Sequence, residues 1–558
     1  MIRPKPPVES NLGQPGEDSP IVVAWFVVLF VLAIGVANGG SYHSVYLFQG
    51  LAKADPNYLR GDWFTWDTVP AHEAFGFLVA LISRLGRLEA GLTFVAVAQS
   101  AILAIAVYYG IRAVYDRPIL PWALTLLLLS AVGTRGIGLT RLINPHMQAS
   151  AIGGVCLVTG LVLLAWDRKF LAGLALGLGG LIHAHFAVLT IAVLLPLTLA
   201  EPPPRKRFLV PVCLPFLALS GYNLIKAALY AVTPGSEQST AIALARFPHH
   251  LVPSSWSPEI HGVFLAVILI GIGGWLIRRP KPNRRLAWAV MAISSIVLVS
   301  VIVGYLLVFK AINLAFPWRL STIMVLVCIA LGSAALCSPE PYRPRNSILM
   351  SGAVVVMALL VGASRILPGR VVAAMITALF VPASIGVASR WQHAGTPAGL
   401  VTRWIPLVVI SLGFIPSVVH GLELSHLGFR TDDPARNDLY AWIRTAAPEG
   451  EVFGVPPSWK DFRLLAERPI LVDHIATPLN SRPDLLAWFD RLNDLTGVRP
   501  ANNVEELDAA FFKMNCQRAG TLRSRYGLRF VIQEASRDFG CGTVVYSDDW
   551  YVVIDIAP

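Results

Sequence analysis

The chain has 558 residues, of which 55% are hydrophobic and only 14% charged, and its mean hydropathy is +0.61. Apolar runs of about 17 to 24 residues recur along it, the length that crosses a ~30 Å hydrocarbon core, which excludes a soluble enzyme and indicates a multi-pass membrane protein. The net charge of +11 is not a nucleic-acid footprint, because the basic residues lie in short loops such as 202–207 (PPPRKR) and 278–285 (RRPKPNRR), which read as cytoplasmic under the positive-inside rule.

Residues 1–20 form a polar, Pro-rich tail before the first apolar run, 21–37. This resembles a signal anchor with its N-terminus in the cytoplasm, a cleaved signal peptide being the other reading. A first external loop, 38–70, follows. Apolar runs come next near 71–86, 90–111, 119–133 and 147–166, and then a stretch at 171–200 broken by His183 and His185. Further runs lie near 208–231, 262–277, 286–309, 316–337, 347–363, 369–388 and 402–419. With the basic loops inside, one early run cannot span; 71–86 and 119–133, both short, are the candidates, and about 13 spans remain. The same parity puts 134–147, the histidine break and 232–261 on the outer face with 38–70.

Residues 425–558 differ from the rest. They hold 15 Lys and Arg against 19 Asp and Glu, a balance of −4 that leaves +15 to the membrane part. Helical patterns at 435–447, 459–467, 483–496 and 503–514 alternate with strand-like stretches at 452–456, 469–475, 529–535 and 543–556, the last a hairpin turning near Ser547–Asp549. A small α/β domain outside the membrane is expected. Of the six cysteines, Cys156, Cys213, Cys328 and Cys337 fall in apolar runs as small buried residues. Cys516 and Cys541 share the soluble domain, where export would allow a disulfide.

Four polar islands carry the candidate chemistry. The first loop gathers Asp55, Asp62, Asp67, His72 and Glu73 among aromatics. Either these carboxylates solvate the loop, or one is a general base toward an incoming hydroxyl, with Asp62 first and Asp55 and Asp67 behind it. Segment 134–147 holds Arg135, Arg141, Asn144 and His146. Arginines on an outer loop oppose the positive-inside bias, and a guanidinium matches phosphate oxygens in pairs. His183 and His185, two apart at a helix break, can line a turn that binds a phosphate headgroup or, with first-loop Asp residues, a divalent metal. In 245–256, Arg246, His249 and His250 suit an anionic ligand or the wall of a sugar pocket, with Trp256 placed to stack on a sugar ring; Lys310 and Arg319 add cations further along. Each island has an alternative reading as a structured loop. No Walker or Gly-rich nucleotide motif is present, which favours a membrane-embedded donor over ATP or a soluble nucleotide sugar.

Taken together, the acidic first loop, the dozen or so helices, the Arg-bearing loop, the GLGGLIH break and the C-terminal α/β domain resemble the GT-C superfamily of polyprenyl-phosphate-dependent glycosyltransferases. The stretch YAWIRTAAPEGEVFGVPPSWKDFRLLAERPILVDH is similar to the external domain of uncharacterised bacterial membrane proteins of this type. The resemblance implies a bacterial plasma-membrane location with the C-terminal domain outside, a lipid-phosphate sugar donor, and a glycan, lipid or protein acceptor. It also implies a catalytic Asp at 62 or 55, and a donor phosphate held by Arg135, Arg141, His183 and His185. His72, His146, Arg246, His249, His250, Trp256 and Arg319 would surround the substrate. The competing reading is a non-enzymatic transporter or assembly factor for lipid-linked glycans; its polar residues would run through the bilayer centre, whereas here they gather at loop edges on one side.

Overall fold

Ser19 opens the first helix, α1 (Pro20–Ile34): its hydroxyl accepts from the Ile21 N–H at 3.3 Å. Pro20 at the first helical position forfeits no hydrogen bond there. The structure is a computed structural model that describes residues 19–557 except 39–42, 71, 134–135, 233–236, 307–315, 338–368, 394–403, 432 and 500–502. The expected tail 1–18, the run 347–363, Arg135 and Lys310 therefore lie outside the described residues.

The first loop is helical for much of its length, with α2 (His43–Ala54) and the single turn α3 (Trp63–Trp66), and α4 (Glu73–Arg84) follows it. The membrane bundle continues as α5 (Leu88–Arg112), α6 (Ile119–Val132), α7 (Ala149–Ala165), α8 (Lys169–Ile182), α9 (Ala184–Ala200) and α10 (Lys206–Val232). Two short outer helices, α11 (Glu237–Arg246) and α12 (Pro248–Leu251), precede α13 (Pro258–Ile277), α14 (Arg284–Leu306), α15 (Ser321–Leu336), α16 (Gly369–His393) and α17 (Ile405–Leu424).

Among the described residues, six helices are long and apolar enough to cross a bilayer, with six shorter apolar helices beside them. Of the two candidates for the one run that cannot span, 71–86 yields α4, whose 12 residues rise only about 18 Å. It packs on α2 in a core of its own with Phe48, Phe75 and Val79. The other run yields α6, whose side chains are nearly all enclosed within the bundle. Small residues let the helices close up: a Cβ on Gly177 of α8 would come within 3.0 Å of Phe216 and Leu219 on α10.

The bundle sorts its loops by face. On one face Arg285 bridges Glu201 and Asp167, each at 2.6 Å, and Lys281 pairs with Asp116, so the basic loops meet as the charge rule requires. On the other, the end of α1 joins the end of α17. The His426 N–H donates to Val36 O at 3.0 Å and the Asn38 N–H to His426 O at 3.1 Å, while the Ala37 N–H reaches Pro145 O at 3.0 Å. The first loop, the 137–147 segment and the start of the C-terminal domain thus share one side.

That domain comprises α18 (Arg436–Ala446), α19 (Phe462–Leu465), α20 (Arg482–Thr496), α21 (Val504–Phe512) and α22 (Cys516–Tyr526), with strands β1 (Val452–Gly454), β2 (Leu528–Glu534), β3 (Thr543–Ser547) and β4 (Tyr551–Asp555). The sheet order is β1-β2-β4-β3, parallel only between β1 and β2. Alternation along β2 sends Phe530 and Ile532 into a core with α18 and Val531 into a core with α20 to α22. The hairpin forms at the expected turn. The stretch 469–475 forms no strand, only a bridge from Phe453 to Ile470; its groups are spent on the side-chain contacts described below. Cys516 and Cys541 form a disulfide that ties the start of α22 to the segment before β3.

Candidate functional site

Asp62, the foremost candidate base, is fully buried. It caps α3, one oxygen accepting from the Thr65 N–H at 2.9 Å and the Thr65 hydroxyl at 2.8 Å. The other accepts from Arg463 Nε at 2.7 Å and the Ile470 N–H at 3.1 Å. Four donors satisfy a carboxylate, so Asp62 has no acceptor capacity left for a substrate hydroxyl. Arg463, also buried, pairs its other arm with Asp473, whose second oxygen takes the Ile475 and Ala476 N–H groups at 2.7 and 2.5 Å. The result is an Asp62–Arg463–Asp473 triad joining the first loop to the C-terminal domain. Asp55 is exposed and accepts from the Asn57 N–H at 2.9 Å, and Asp67 is exposed at the end of α3.

Another group of polar side chains assembles where α4 begins, α8 gives way to α9, and 316–320 leads into α15. The ring of His72 lies 4.5 Å from that of His183, and His183 lies 5.1 Å from His185. Arg319 Nη1 is 2.9 Å from His183 Nε2. A guanidinium only donates, so Nε2 of His183 must accept and its proton sits on Nδ1. That Nδ1 is buried and meets no protein acceptor; His72 Nδ1 and Arg319 Nε are in the same state. Three unsatisfied buried nitrogens in one cluster, two of them fixed as donors, make a place for an anion.

Lys226 was not singled out in the sequence, and Glu73 was counted among the carboxylates of 38–73 without being chosen as the base. Lys226, near the outer end of α10, forms an ion pair at 3.4 Å with Glu73, the residue after His72. Both are about one-third exposed, at 32% and 31%. The available signal was a lysine at the end of an apolar run that the charge rule places outside.

The belt continues outward. Phe316 lies 5.2 Å from His185 and 6.2 Å from His250, and the Arg319 guanidinium sits 5.0 Å over its ring. His249 and His250 are 4.2 Å apart. His250 Nδ1 donates to Gly138 O at 2.7 Å. Gly138 is required there: its φ is +69°, and a Cβ would come within 2.7 Å of Trp318. Trp256, expected to stack on a sugar, is 5% exposed, edge-on to Trp318 and donating to His249 O at 2.9 Å, so it forms wall. Arg246 donates twice to His474 O, at 3.0 and 2.7 Å. His146 contacts Ala37 O at 2.9 Å, and Arg141 is exposed in the same outer segment. Among the described residues no three His, Cys, Asp or Glu side chains are grouped as ligands for a metal ion.

His72 and His250 lie outside the spanning helices. Burial, and then the nearby His185 and Arg319, push the His72 pKa down to about 3; burial and then His249 push that of His250 down to about 4. Both are neutral at physiological pH, so the positive charge of the site comes from Arg319 and Lys226. In the unfolded chain each imidazole takes a proton near pH 6.5, so the unfolded state binds more protons below that value. Stability is therefore fully present above about pH 6.5 and is lost as pH falls toward 3 to 4. The melting temperature in detergent should drop between pH 7 and 5, and His72→Asn should flatten that drop; an equal slope in the variant would contradict it.

A family model described as "Domain of unknown function (DUF6798)" matches residues 435–495, from α18 into α20. No curated protein matches the sequence. Among solved structures, the chain is similar to ArnT from Cupriavidus metallidurans bound to undecaprenyl phosphate, with 13% identity, 96% of this chain and 97% of that chain covered, and a TM-score of 0.52. The apo state of the same protein matches with 14% identity, the same coverage and a TM-score of 0.50. With a polar cluster at one end of its helices and an α/β domain packed over that same end, this chain is a multi-pass membrane protein that shares the fold of these two structures.

Proposed function

We propose that the protein transfers a sugar from a polyprenyl-phosphate donor to an acceptor on the extracytoplasmic face of a bacterial plasma membrane. The observation that carries this reading is the Arg319–His183–His72 cluster with Lys226 and Glu73 beside it, at the end of the helices that also carries the first loop and the C-terminal domain. Arg319 and Lys226 supply charge to the donor phosphate, and the Nδ1–H of His183 supplies a directed hydrogen bond. Glu73, the first residue of α4, is the carboxylate next to these groups and accepts the proton of the acceptor hydroxyl. The oxygen then attacks the anomeric carbon, the bond from that carbon to the phosphate oxygen breaks, and the electron pair leaves with the polyprenyl phosphate. Asp62 is assigned to holding the loop, and Asp55 and Asp67 to its solvated surface. The disulfide supports an oxidising, extracytoplasmic setting for the C-terminal domain.

The test is binding of undecaprenyl phosphate to purified protein in nanodiscs. Arg319→Gln and Lys226→Gln should each weaken it by about tenfold, the loss of one charge-assisted bond. Unchanged affinity in both variants would remove the donor site from this cluster and favour a carrier that grips the lipid elsewhere.

A further inference from the structure

A cavity of about 540 Å³ opens between α11, in the outer loop of the membrane part, and α20, in the C-terminal domain. Its volume falls in the range of small-molecule sites, about 300–1,000 Å³. Nothing in the sequence pattern marks it, because its walls come from segments some 240 residues apart.

Those walls are firmly held. Ile242 of α11 and Trp488 of α20 line it, and both are buried in one core with Leu251, Leu492 and Phe316. The polar lining faces inward from both sides, with Gln238 and Arg246 from α11 and Asn493 from α20, and Arg499 just beyond α20. Phe489 supplies an aromatic face. Amides and guanidinium groups around an aromatic surface are the groups that take sugar hydroxyls and C–H faces together. Asp490 also lines the cavity, so two cations meet one carboxylate and the local balance favours an anion.

A series of ring contacts leads from the cavity wall to the polar cluster. Arg246 ends α11, and Phe247 follows it with its ring stacked on that of His250 at 6.4 Å. His250 reaches Phe316, and Phe316 reaches His185. A molecule held in the cavity by Asn493 and Arg499 would thus lie a few side chains from the site proposed for the donor.

We infer that this cavity binds the acceptor, and that the acceptor is a saccharide carrying an anionic group, a carboxylate or a phosphate. The acceptor role rests on the transferase reading above; the binding of an acidic saccharide does not. The experiment is equilibrium binding to the full chain in nanodiscs of three probes: a galacturonic acid trisaccharide, a 6-phosphorylated disaccharide and neutral maltotriose. At least one acidic probe should bind about tenfold more tightly than maltotriose, with an affinity that falls as salt rises, and the preferred probe separates carboxylate from phosphate. Arg499→Gln and Asn493→Ala should each weaken it by about tenfold or more, while undecaprenyl phosphate binding stays as in wild type. Equal affinity for maltotriose, or unchanged binding in both variants, overturns the inference. Binding that follows this pattern in a protein with no transfer activity upholds the cavity and overturns only the transferase reading.

Discussion

Arg463→Met is expected to cost about 3–5 kcal/mol of stability, the penalty for leaving buried charges without their partner. Arg463 is 1% exposed, between Asp62 at 0% and Asp473 at 2%. The rings of Phe48 and Phe64 lie 5.5 Å from its guanidinium, which leaves water little room to replace it. The loss should appear as a large drop in melting temperature and as protease cleavage within 55–70, since that loop would lose its anchor on the C-terminal domain. Asp62→Asn should act in the same direction, because an amide N–H₂ in place of one oxygen would face a donor. A melting curve for Arg463→Met within error of wild type would show that the triad does not hold the loop.

Glu73→Gln should have the opposite profile, with transfer reduced by about 10²–10⁴-fold, the usual worth of a general base, and nearly unchanged melting. The Glu73–Lys226 pair is one-third exposed, and such pairs contribute only about 0–1 kcal/mol. The assay follows radiolabelled sugar from a polyprenyl-phosphate donor pool to lipid, glycan or protein acceptors in membranes. Glu73→Asp, which keeps the charge, should recover part of the rate. Full transfer by Glu73→Gln would hand the base back to a first-loop carboxylate. The two carboxylates are thereby separated: substitution of Asp62 should unfold, and substitution of Glu73 should silence.

Much of the architecture was legible in the sequence because it rests on local signals. Apolar run lengths marked the membrane helices, and charge composition set residues 425–558 apart. The polar islands could be placed on one face by parity alone. What they do there was less legible. Asp62 stands out as an acid among aromatics, but the Arg463 that occupies it is 401 residues away, and no pattern in either segment announces the other. Comparable distances hid the fate of 469–475, which looks like a strand until the Ile470 N–H is seen to donate to Asp62 and the His474 carbonyl to accept from Arg246. The helix α22 was missed because its sequence, CQRAGTLRSRY, buries only Ala519 and Leu522, too narrow a stripe to read as periodic.

The triad also sets a schedule for biosynthesis. At about 5–20 residues per second, the ribosome needs roughly 20–80 s to travel from Asp62 to Arg463, and for that interval the loop has emerged without its counter-charge. The zipper from Val36 to His426 waits nearly as long. The face of the bundle that carries the first loop therefore stays open during most of translation and closes only when the last quarter of the chain has been made, so a nascent chain cannot form these contacts early, and one truncated before Arg463 cannot form the triad at all.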